Sequence, residues 1–245
     1  MKIEDFLLFF NELLDGSNFA HRTFLVGGVV RDLHLGQTDF EDFDLTVQKR
    51  FGGLSLAKYL SNKDVCESCE IFEKFGTARL VLQGIKVDLA ETRREIYHKG
   101  RRYPQIRYAP IEEDVWRRDF TINALYMNIK SKAVTDPSEM GFRDLDKHII
   151  RTLREPSRVF SEDALRLLRA VRFAATLGFE LEQGTADAIR EAAPLCKRLS
   201  QRAWQMEMDK LKASAAWEQG LFLLKHFGLL SYAPPSIAAE YFPQL

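Results

Sequence analysis

Two aspartates spaced one residue apart, Asp42 and Asp44 in the segment DFDLTV, are the residues of this sequence best suited to chemistry. The alternating, β-rich segment predicts a strand, so both carboxylates project from one face, about 6.6 Å apart, while Phe43 enters the core. Two such carboxylates repel each other unless a cation lies between them, and oxygen ligands of this kind suit Mg²⁺. The pattern therefore predicts a magnesium site, and two ions there would serve in-line phosphoryl transfer.

A glycine turn precedes the aspartate pair, in the segment VGGVVRDLHLG. Gly27 and Gly28 have no side chains, so their backbone N–H groups can approach a triphosphate, and Arg31 adds positive charge beside them. Asp88, in the strand-like segment KVDLA, becomes a third acid if its strand lies beside the one that carries Asp42. A lone DxD or a lone GG is usually a solvated turn, so the order of these features is what favours a nucleotide site.

The segment RRDFTINAL places two arginines, Arg117 and Arg118, in front of an acid. The pattern puts Asp119 at the start of a helix, with Asn123 one turn later. Arginines at such a position bind phosphate or ribose, but an N-capping aspartate between surface arginines would explain the same residues.

The segment SEDALRLLRAVRFAATLGF predicts one amphipathic helix over 161–177. Its charged stripe would contain Glu162, Arg166 and Arg169, with Asp163 nearby and Arg172 further along. The predicted buried side consists of Leu165, Leu168, Val171 and Ala175. Ion pairs three and four residues apart explain such a helix without any binding role.

A second interpretation of this segment is base selection. Cytosine and adenine both present an exocyclic amine beside a ring-nitrogen acceptor, whereas uracil and guanine carry a carbonyl in place of that amine. Asp163 could accept from the amine while Arg166 donates to the ring nitrogen. One such pair would admit C and A and reject U and G.

The rest of the sequence supplies the elements that must position these residues. Residues 3–14 predict an amphipathic helix, RTFLVGG a strand that enters a turn, and VRDLHLG a short helix closed by Gly36. LSLAKYL predicts a further helix, and ARLVLQGIKVDLA predicts a hairpin that turns at Gln83–Gly84.

The second part of the chain differs in character from the first. Residues 92–110 are polar and basic and predict a long mobile loop. After about residue 140 the pattern is helical, at 161–177, 184–193, 201–213 and 215–227. We therefore predict an α+β fold, with a small mixed sheet over 1–138 and a helical domain over 139–245.

Composition limits the classes of function. Of the 245 residues 46% are hydrophobic, which suits a folded core, and the formal net charge is zero, so nucleic-acid binding would need a local basic face. Such faces are predicted at 93–107 and along the arginines of 151–172, with weak, salt-sensitive RNA binding as the consequence. No apolar run reaches the roughly 18 residues of a membrane span.

The three cysteines favour a reducing compartment, and we expect a cytoplasmic protein that does not bind membranes. Cys66 and Cys69 form a CxxC that could be half of a zinc site. Since Cys196 is far away in sequence, free surface thiols are the favoured interpretation.

The motif GGxVRDxxLG followed by DxD resembles the signature of the class II nucleotidyltransferases. This family includes the bacterial and eukaryotic-type CCA-adding tRNA enzymes and the bacterial poly(A) polymerases. RRDFTINA resembles the family's ribose-recognition motif, and EDALR resembles its base-selecting EDxxR motif. The segment DPSEMGFRDL resembles a proposed hinge, although Phe142 replaces the usual second glycine after Gly141. Together these motifs cover about residues 24–180.

The resemblance implies a polymerase-β-like head followed by a helical neck and part of a body. It implies that Asp42 and Asp44 bind two Mg²⁺ ions and act in catalysis, with Asp88 as a third acid. The residues that it assigns to nucleotide binding are Gly27, Gly28, Arg31, Asp32, Arg117, Arg118, Asp119, Asn123, Asp163, Arg166, Arg169 and Arg172. Familiar members of the family continue into further body and tail helices, so the resemblance leaves open a truncated or a natural short form.

The implied activity is template-independent addition of C, A or both to the 3′ end of a tRNA, with CTP and ATP as substrates and no obligate protein partner. A bacterial poly(A) polymerase shares all of these motifs, and specialised CC-adding or A-adding enzymes do too. Two alternatives lie outside this group: an inactive RNA- or nucleotide-binding module, and a nucleotidyltransferase of small molecules or proteins. The intact aspartates disfavour the first, and RRDFTINA with EDALR disfavours the second.

Overall fold

The computed structural model describes residues 1–96 and 104–243. The chain divides into two units, which we call the head unit and the helical unit. The head unit comprises Met1–Arg118 and Ile122–Phe142, and the helical unit comprises Asp119–Thr121 and Arg143–Leu245.

The head unit is built on a mixed sheet. Its strands are β1 (Thr23–Val26), β2 (Asp42–Val47), β3 (Cys66–Phe72), β4 (Thr77–Leu82), β5 (Ile85–Glu91), β6 (Arg93–Ile96), β7 (Gln105–Tyr108), β8 (Tyr126–Asn128) and β9 (Val134–Thr135). Seven of them form one sheet in the order β3-β4-β5-β2-β1-β8-β9, and β6 pairs with β7 separately. Neighbours in the large sheet run antiparallel except β2 and β5, which run parallel. The mixed sheet followed by helices confirms the predicted α+β class.

One face of the sheet is covered by helices. The helices of the head unit are α1 (Ile3–Leu14), α2 (Gly28–His34), α3 (Gly52–Ser61) and α4 (Ile111–Asp114). Phe43 of β2 is buried and stacks on Phe6 of α1, with ring centroids 3.6 Å apart. A Cβ on Gly53 of α3 would lie 2.7 Å from the Ala90 carbonyl carbon, so this glycine lets the helix approach β5. Because side chains alternate along a strand, Asp42 and Asp44 lie on the opposite face from Phe43.

The turn chemistry of the hairpin is as predicted. Gln83 and Gly84 join β4 to β5 with φ angles of 49° and 76°. Two central residues with positive φ characterise the type I′ turn, whose twist matches that of the paired strands.

The prediction of a loop over 92–110 is wrong for Arg93–Ile96 and Gln105–Tyr108. Arg93–Ile96 and Gln105–Tyr108 form an antiparallel pair, in which Arg93 lies opposite Tyr108. Four residues of each segment pair with one another. The polar composition of the segments did not indicate this pairing, because composition carries no information about which residues lie opposite each other. Residues 97–103 of the predicted loop lie outside the described residues.

The helical unit contains most of the remaining helices. They are α5 (Gly141–Asp146), α6 (Pro156–Glu162), α7 (Leu165–Leu177), α8 (Gln183–Ala192), α9 (Gln201–Lys212), α10 (Trp217–His226) and α11 (Pro235–Tyr241), with a short parallel pair of β10 (Ile149–Ile150) and β11 (Glu180–Leu181). α8, α9 and α10 confirm the predicted helices to within two residues. No helix among the described residues is both long enough and apolar enough to cross a membrane.

The single helix predicted over 161–177 is wrong, because the chain breaks at Asp163. Asp163 is extended, with φ −148° and ψ 104°, and its Oδ1 accepts a hydrogen bond of 3.0 Å from the Leu165 amide. An aspartate side chain that captures a backbone N–H competes with helical hydrogen bonding in this way. α6 therefore ends at Glu162, and α7 starts anew at Leu165.

Candidate functional site

The paired aspartates lie at the exposed start of β2. Asp42 and Asp44 are both exposed, and the side chain of Asp42 retains 69% of its accessible surface. Lys86 of β5 places its Nζ 3.6 Å from Asp42 Oδ1, a solvated contact of small energy. The two carboxylates therefore stand side by side on one open strand face, as the alternation predicted.

The glycine turn lies beside these carboxylates. Gly27 joins β1 to α2 with φ +69° and ψ −133°, a backbone conformation that strongly favours glycine. A Cβ built on Gly27 would lie 3.9 Å from Asp44 Oδ2. Gly28 begins α2, so its neighbouring backbone N–H groups belong to a helix N-terminus, where anions are favoured.

Arg31, Asp32 and Asn123, all predicted to bind nucleotide, meet in one network. Arg31 is buried and donates from Nε and Nη2 to the Asp32 carboxylate at 2.7 and 2.8 Å. Its Nη1 donates to Asn123 Oδ1 at 2.7 Å. This network ties the start of α2 to the segment before β8, so it fixes the glycine turn as well as adding charge to it.

Asp88 lies where the hypothesis of a third acid required it. β5 runs beside β2, with Asp88 in register opposite Asp44. Both Asp88 oxygens, however, accept hydrogen bonds from Arg79, each 2.8 Å long. The hydrogen bond to Asp88, with the Asp88 charge next, raises the pKa of Arg79 above its usual range.

The metal-binding capacity of the site follows from this arrangement. Within the described ranges, no group of three His, Cys, Asp or Glu side chains is arranged to hold a metal ion. Asp42 and Asp44 offer exposed oxygen donors on one strand face, and one or two carboxylates suffice for Mg²⁺ when substrate phosphates complete its ligands. The aspartate pair therefore fits Mg²⁺. Cys66 and Cys69 are free thiols in this structure.

A cavity of about 350 Å³ opens beside the carboxylates, within the size range of ligand pockets. Its lining combines the turn, two acids and four arginines with an aromatic ring. The polar and aromatic lining residues, with the glycine of the turn, are Gly27, Asp44, Thr46, Asp88, Phe72, Thr77, Arg79, Arg93, Arg117 and Arg118. Four guanidinium groups around one opening suit a ligand with several negative charges.

Asp114, which sequence analysis missed, organises these arginines. It is fully buried, and its Oδ1 accepts from the Arg93 amide at 2.7 Å and from Arg117 Nε at 2.8 Å. Its Oδ2 accepts from the Tyr126 hydroxyl at 2.7 Å and from Arg118 Nη2 at 3.2 Å. The spacing of Asp114 three and four residues before the two arginines is a signal that could have revealed it.

The charges of this cluster are strongly coupled. Burial acts to raise the pKa of the Asp114 carboxyl, but Arg117 and Arg118 lower it below its ordinary value. Burial acts to lower the pKa of Arg118, but Tyr126 and Asp114 raise it overall. Burial, together with the charge of Arg117, lowers the pKa of Arg93. Arg117 and Arg118 therefore favour the ionised form of Asp114, and this carboxylate in turn favours the charged form of Arg118.

The prediction that Asp119 starts a helix is wrong. Phe120 forms an extended bridge with Thr152, and the chain makes only one helical turn, at Thr121–Asn123. Within the helical unit, Asp119 Oδ2 accepts from Arg169 Nε at 2.7 Å, and this acid raises the pKa of Arg169. Phe120 is fully buried and its backbone is extended, so a helix cannot begin at Asp119.

The predicted stripe of Glu162, Arg166 and Arg169 is confirmed for the ion pair between Glu162 and Arg166, and it is wrong as the face of one continuous helix. Arg166 is only 7% exposed, and its Nη1 donates to the Val159 carbonyl at 3.2 Å and lies 3.6 Å from Glu162. Asp163 is exposed. The break at Asp163 separates these environments, so Asp163 is exposed while Arg166 is buried, and the base-selecting role of the pair stays a prediction.

The two later arginines also meet acids. Arg172 Nε donates to the buried Glu207 at 2.6 Å, and its guanidinium lies 4.2 Å from the centre of the Phe173 ring. Arg169 binds Asp119 as described above. Their prediction as phosphate-facing residues stays a prediction, and any phosphate would have to compete with these carboxylates.

Comparison with known proteins adds independent evidence. A family described as the poly A polymerase head domain matches residues 23–151, and one described as a probable RNA and SrmB-binding site of polymerase A matches residues 178–241. The A-adding tRNA nucleotidyltransferase of Aquifex aeolicus is 38% identical over 176 residues, which are 71% of this chain and 21% of that protein. The CCA-adding enzyme of Geobacillus thermodenitrificans is 34% identical over 88% of this chain and 51% of that enzyme.

Solved structures agree with these matches. The CCA-adding enzyme of Bacillus stearothermophilus in complex with CTP has a TM-score of 0.76 and 31% identity, over 96% of this chain and 55% of that one. A tRNA nucleotidyltransferase complexed with a primer tRNA and an incoming ATP analog has a TM-score of 0.73 and 31% identity, over 87% of this chain and 59% of that one. The chain thus spans about half the length of the CCA-adding relatives that it matches.

Proposed function

Because the chain belongs to the class II nucleotidyltransferases and carries their poly A polymerase head domain, we propose that it adds C, A or both to the 3′ end of a tRNA. CTP and ATP are the proposed donors, and pyrophosphate is the second product. The observation that carries this proposal is the exposed pair Asp42 and Asp44 beside the Gly27 turn, at a cavity with four arginines. The similarity to CCA-adding enzymes, one of them in complex with CTP, and to a tRNA nucleotidyltransferase in complex with a primer tRNA supports the choice of substrates.

Each part of the pocket has a proposed task in binding the donor. The bare backbone at Gly27 and the start of α2 receive the triphosphate. Arg93, Arg117 and Arg118 pair with its oxygens, and Asp114 keeps the last two arginines in place. When the donor is held in this alignment, the attack of the RNA hydroxyl on the nucleotide becomes effectively unimolecular. This effect accounts for much of the rate enhancement.

Asp42 and Asp44 would hold Mg²⁺, which supplies charge neutralisation at the phosphates and a more acidic attacking hydroxyl. In the transfer, the RNA 3′-hydroxyl would release its proton to water and its oxygen would bond to the α-phosphorus, while the bond from that phosphorus to the pyrophosphate oxygen breaks. Asp88 has both oxygens engaged by Arg79, so we assign it to positioning that arginine at the cavity wall.

Base choice is proposed to depend on Asp163 and Arg166, as the family's EDxxR motif implies. Asp163 is exposed and its carboxylate has one oxygen bonded to the Leu165 amide, which leaves acceptor capacity for an exocyclic amine. Arg166 would have to exchange its bond to the Val159 carbonyl for one to the base. Base binding therefore requires a local rearrangement at the start of α7.

A single-turnover extension assay with Mg²⁺ tests the activity. Acceptors are tRNA transcripts that end at the discriminator base, at C and at CC, together with an unstructured oligonucleotide, each with one labelled NTP. Ordered addition of C, C and A indicates a complete CCA enzyme, and A on the CC-ending tRNA alone indicates an A-adding specialist. Long A tails on any RNA indicate a poly(A) polymerase, the second candidate, which the description of the matching head domain favours.

Variants make the assignment specific. Asp42→Asn and Asp44→Asn should each lower the transfer rate about a thousandfold, which corresponds to about 4 kcal/mol of transition-state stabilisation. Asp64→Asn is the matched control, because it removes an equal charge from an exposed aspartate outside the cavity. Full activity in Asp42→Asn would refute the catalytic assignment. Absence of incorporation by the unaltered chain on every acceptor would instead favour an inactive binding module.

A further inference from the structure

The head unit has a second cavity, which we call the distal pocket. Its volume is about 390 Å³, and it is lined by His21, Arg22, Phe24, Gln48 and Tyr108. Arg22 precedes β1, whereas Gly27 follows β1, so the distal pocket and the glycine turn lie at opposite ends of that strand. None of its five lining residues belongs to the motifs that the proposed function uses.

The polar side chains of the distal pocket are available to a ligand. Among the described residues, the side chains of His21, Arg22, Gln48 and Tyr108 make no hydrogen bond or ion pair with the protein. The described lining includes no carboxylate, so the pocket is suited to an anion and unsuited to a metal cation. Phe24 and Tyr108 add aromatic surface, and Tyr108 is 41% exposed.

The distal pocket continues the face that carries the aspartates. Side chains two residues apart share a strand face, so Asp44 and Thr46 of β2 point the same way, and Phe24 of β1, which lies opposite Thr46, shares that face. Gln48 directly follows β2, and its backbone N–H donates to the Arg22 carbonyl at 2.7 Å. Thr46 lines the cavity beside Asp44, and Gln48 lines the distal pocket. The two cavities are therefore neighbours on one face of the sheet, because Thr46 lines the first and its cross-strand partner Phe24 lines the second.

We propose that the distal pocket binds one nucleotide unit of an RNA strand. Arg22 would pair with a phosphate, and an aromatic ring would stack on the base. The side-chain amide of Gln48 would form a hydrogen bond with the base edge. A cationic group combined with stacking rings and an amide is the combination that single-stranded nucleic-acid sites use. The choice of RNA as the source rests on the proposed function, since a free nucleoside monophosphate presents the same chemistry.

Binding measurements on the full chain test this inference independently of catalysis. The probes are a labelled single-stranded RNA oligonucleotide, a tRNA transcript, and free AMP and CMP, each titrated at several salt concentrations. Tyr108→Ala should weaken RNA binding by about fivefold or more, because the loss of one stacked base costs that much. Arg22→Gln should reduce the slope of log affinity against log salt by about 0.7, the value for one phosphate contact on a single strand.

Two variants serve as controls. Lys58→Gln removes an equal charge from the exposed surface of α3, on the opposite face of the sheet, and should leave affinity and salt slope unchanged. Tyr108→Phe keeps the ring and should restore most of the affinity lost in Tyr108→Ala. Both altered side chains of the distal pocket are exposed, so the variants should fold.

The outcomes separate the inference from the function on which it rests. Weaker RNA binding with unchanged incorporation at saturating RNA supports the distal pocket as an RNA contact. A loss confined to AMP and CMP binding would overturn RNA as its source. RNA binding and salt slope equal to those of the unaltered chain in both Arg22→Gln and Tyr108→Ala would overturn the inference while extension activity stands. Failure of the unaltered chain to bind any probe would overturn it too.

Discussion

Replacement of Asp114 by asparagine should destabilise the head unit strongly. The carboxylate is fully buried and accepts four hydrogen bonds, two on each oxygen. An asparagine keeps one of these oxygens and presents an NH₂ group where the other accepted two donors. About two charge-assisted hydrogen bonds are then lost, at about 1.5–3 kcal/mol each, and Arg117 and Arg118 lose their counter-charge. Breaking a buried pair typically costs about 3–5 kcal/mol, which is the decrease in unfolding free energy that we expect.

The matched control is Glu113→Gln, one residue earlier. Glu113 pairs with Arg94 at 3.2 Å, and both side chains are about half exposed. Exposed pairs contribute about 0–1 kcal/mol, so this variant should lose less than about 1 kcal/mol. Native-state hydrogen exchange of amides in β2 and β5 reports the opening free energy of the head unit by itself. Equal losses in the two variants would refute the reasoning.

The pH dependence gives a second, independent result. The Asp114 pKa is lowered in the folded chain below its ordinary value of 3.8. As the pH falls, the unfolded chain therefore takes up this proton first. The stabilisation is fully present above pH 3.8 and is lost as the pH falls toward the folded pKa. Asp114→Asn should remove this part of the acid sensitivity, and an unchanged slope of stability against pH would contradict the assignment.

Three further substitutions probe the glycine contacts and base choice. Gly53→Ala should lower the free energy of unfolding by about 1–3 kcal/mol, since its Cβ would meet the Ala90 backbone at 2.7 Å. Gly28→Ala has only ordinary contacts, from 3.5 Å outward, so it should keep stability but raise the KM for nucleotide. Denaturant unfolding and steady-state kinetics check both, and equal stability losses would contradict the contact argument. Asp163→Ala should increase incorporation of UTP and GTP relative to CTP and ATP, while the lost hydrogen bond to the Leu165 amide costs about 0.5–2 kcal/mol. Unchanged selectivity in a competition assay with all four nucleotides would count against the base-selecting role.

Local features of the head unit were predictable because they depend on neighbours in sequence. The alternation of DFDLTV decides that Phe43 is buried and that Asp42 and Asp44 share an exposed face. The turn at Gln83–Gly84 follows from the φ angles that its residues tolerate. For these residues the sequence by itself determines the structure, since each decision involves only a few consecutive residues.

The partners of the charged residues were decided by tertiary structure. Asp114 receives hydrogen bonds from residues 21 and 12 positions away, Arg93 and Tyr126, and sequence spacing gave no sign of either. Asp88 faced Asp44 as hypothesised, but its capture by Arg79 depends on the antiparallel register of β4 and β5. Burying a charge is costly without a partner, so the position of distant partners decides which charged groups enter the interior.

The helical unit shows the same division at a single residue. The periodicity of 161–177 correctly predicts helix on both sides of Asp163, yet the chain is extended at that residue. The side chain of Asp163 accepts a hydrogen bond from the Leu165 amide, while Arg166 turns inward to the Val159 carbonyl and Glu162. Periodicity predicts which side of a helix is apolar. It does not predict which carbonyl or carboxylate a buried arginine such as Arg166 will bind. The sequence alone therefore indicated the family and its aspartate pair, whereas the tertiary structure decided which arginines line the cavity and which are held by acids.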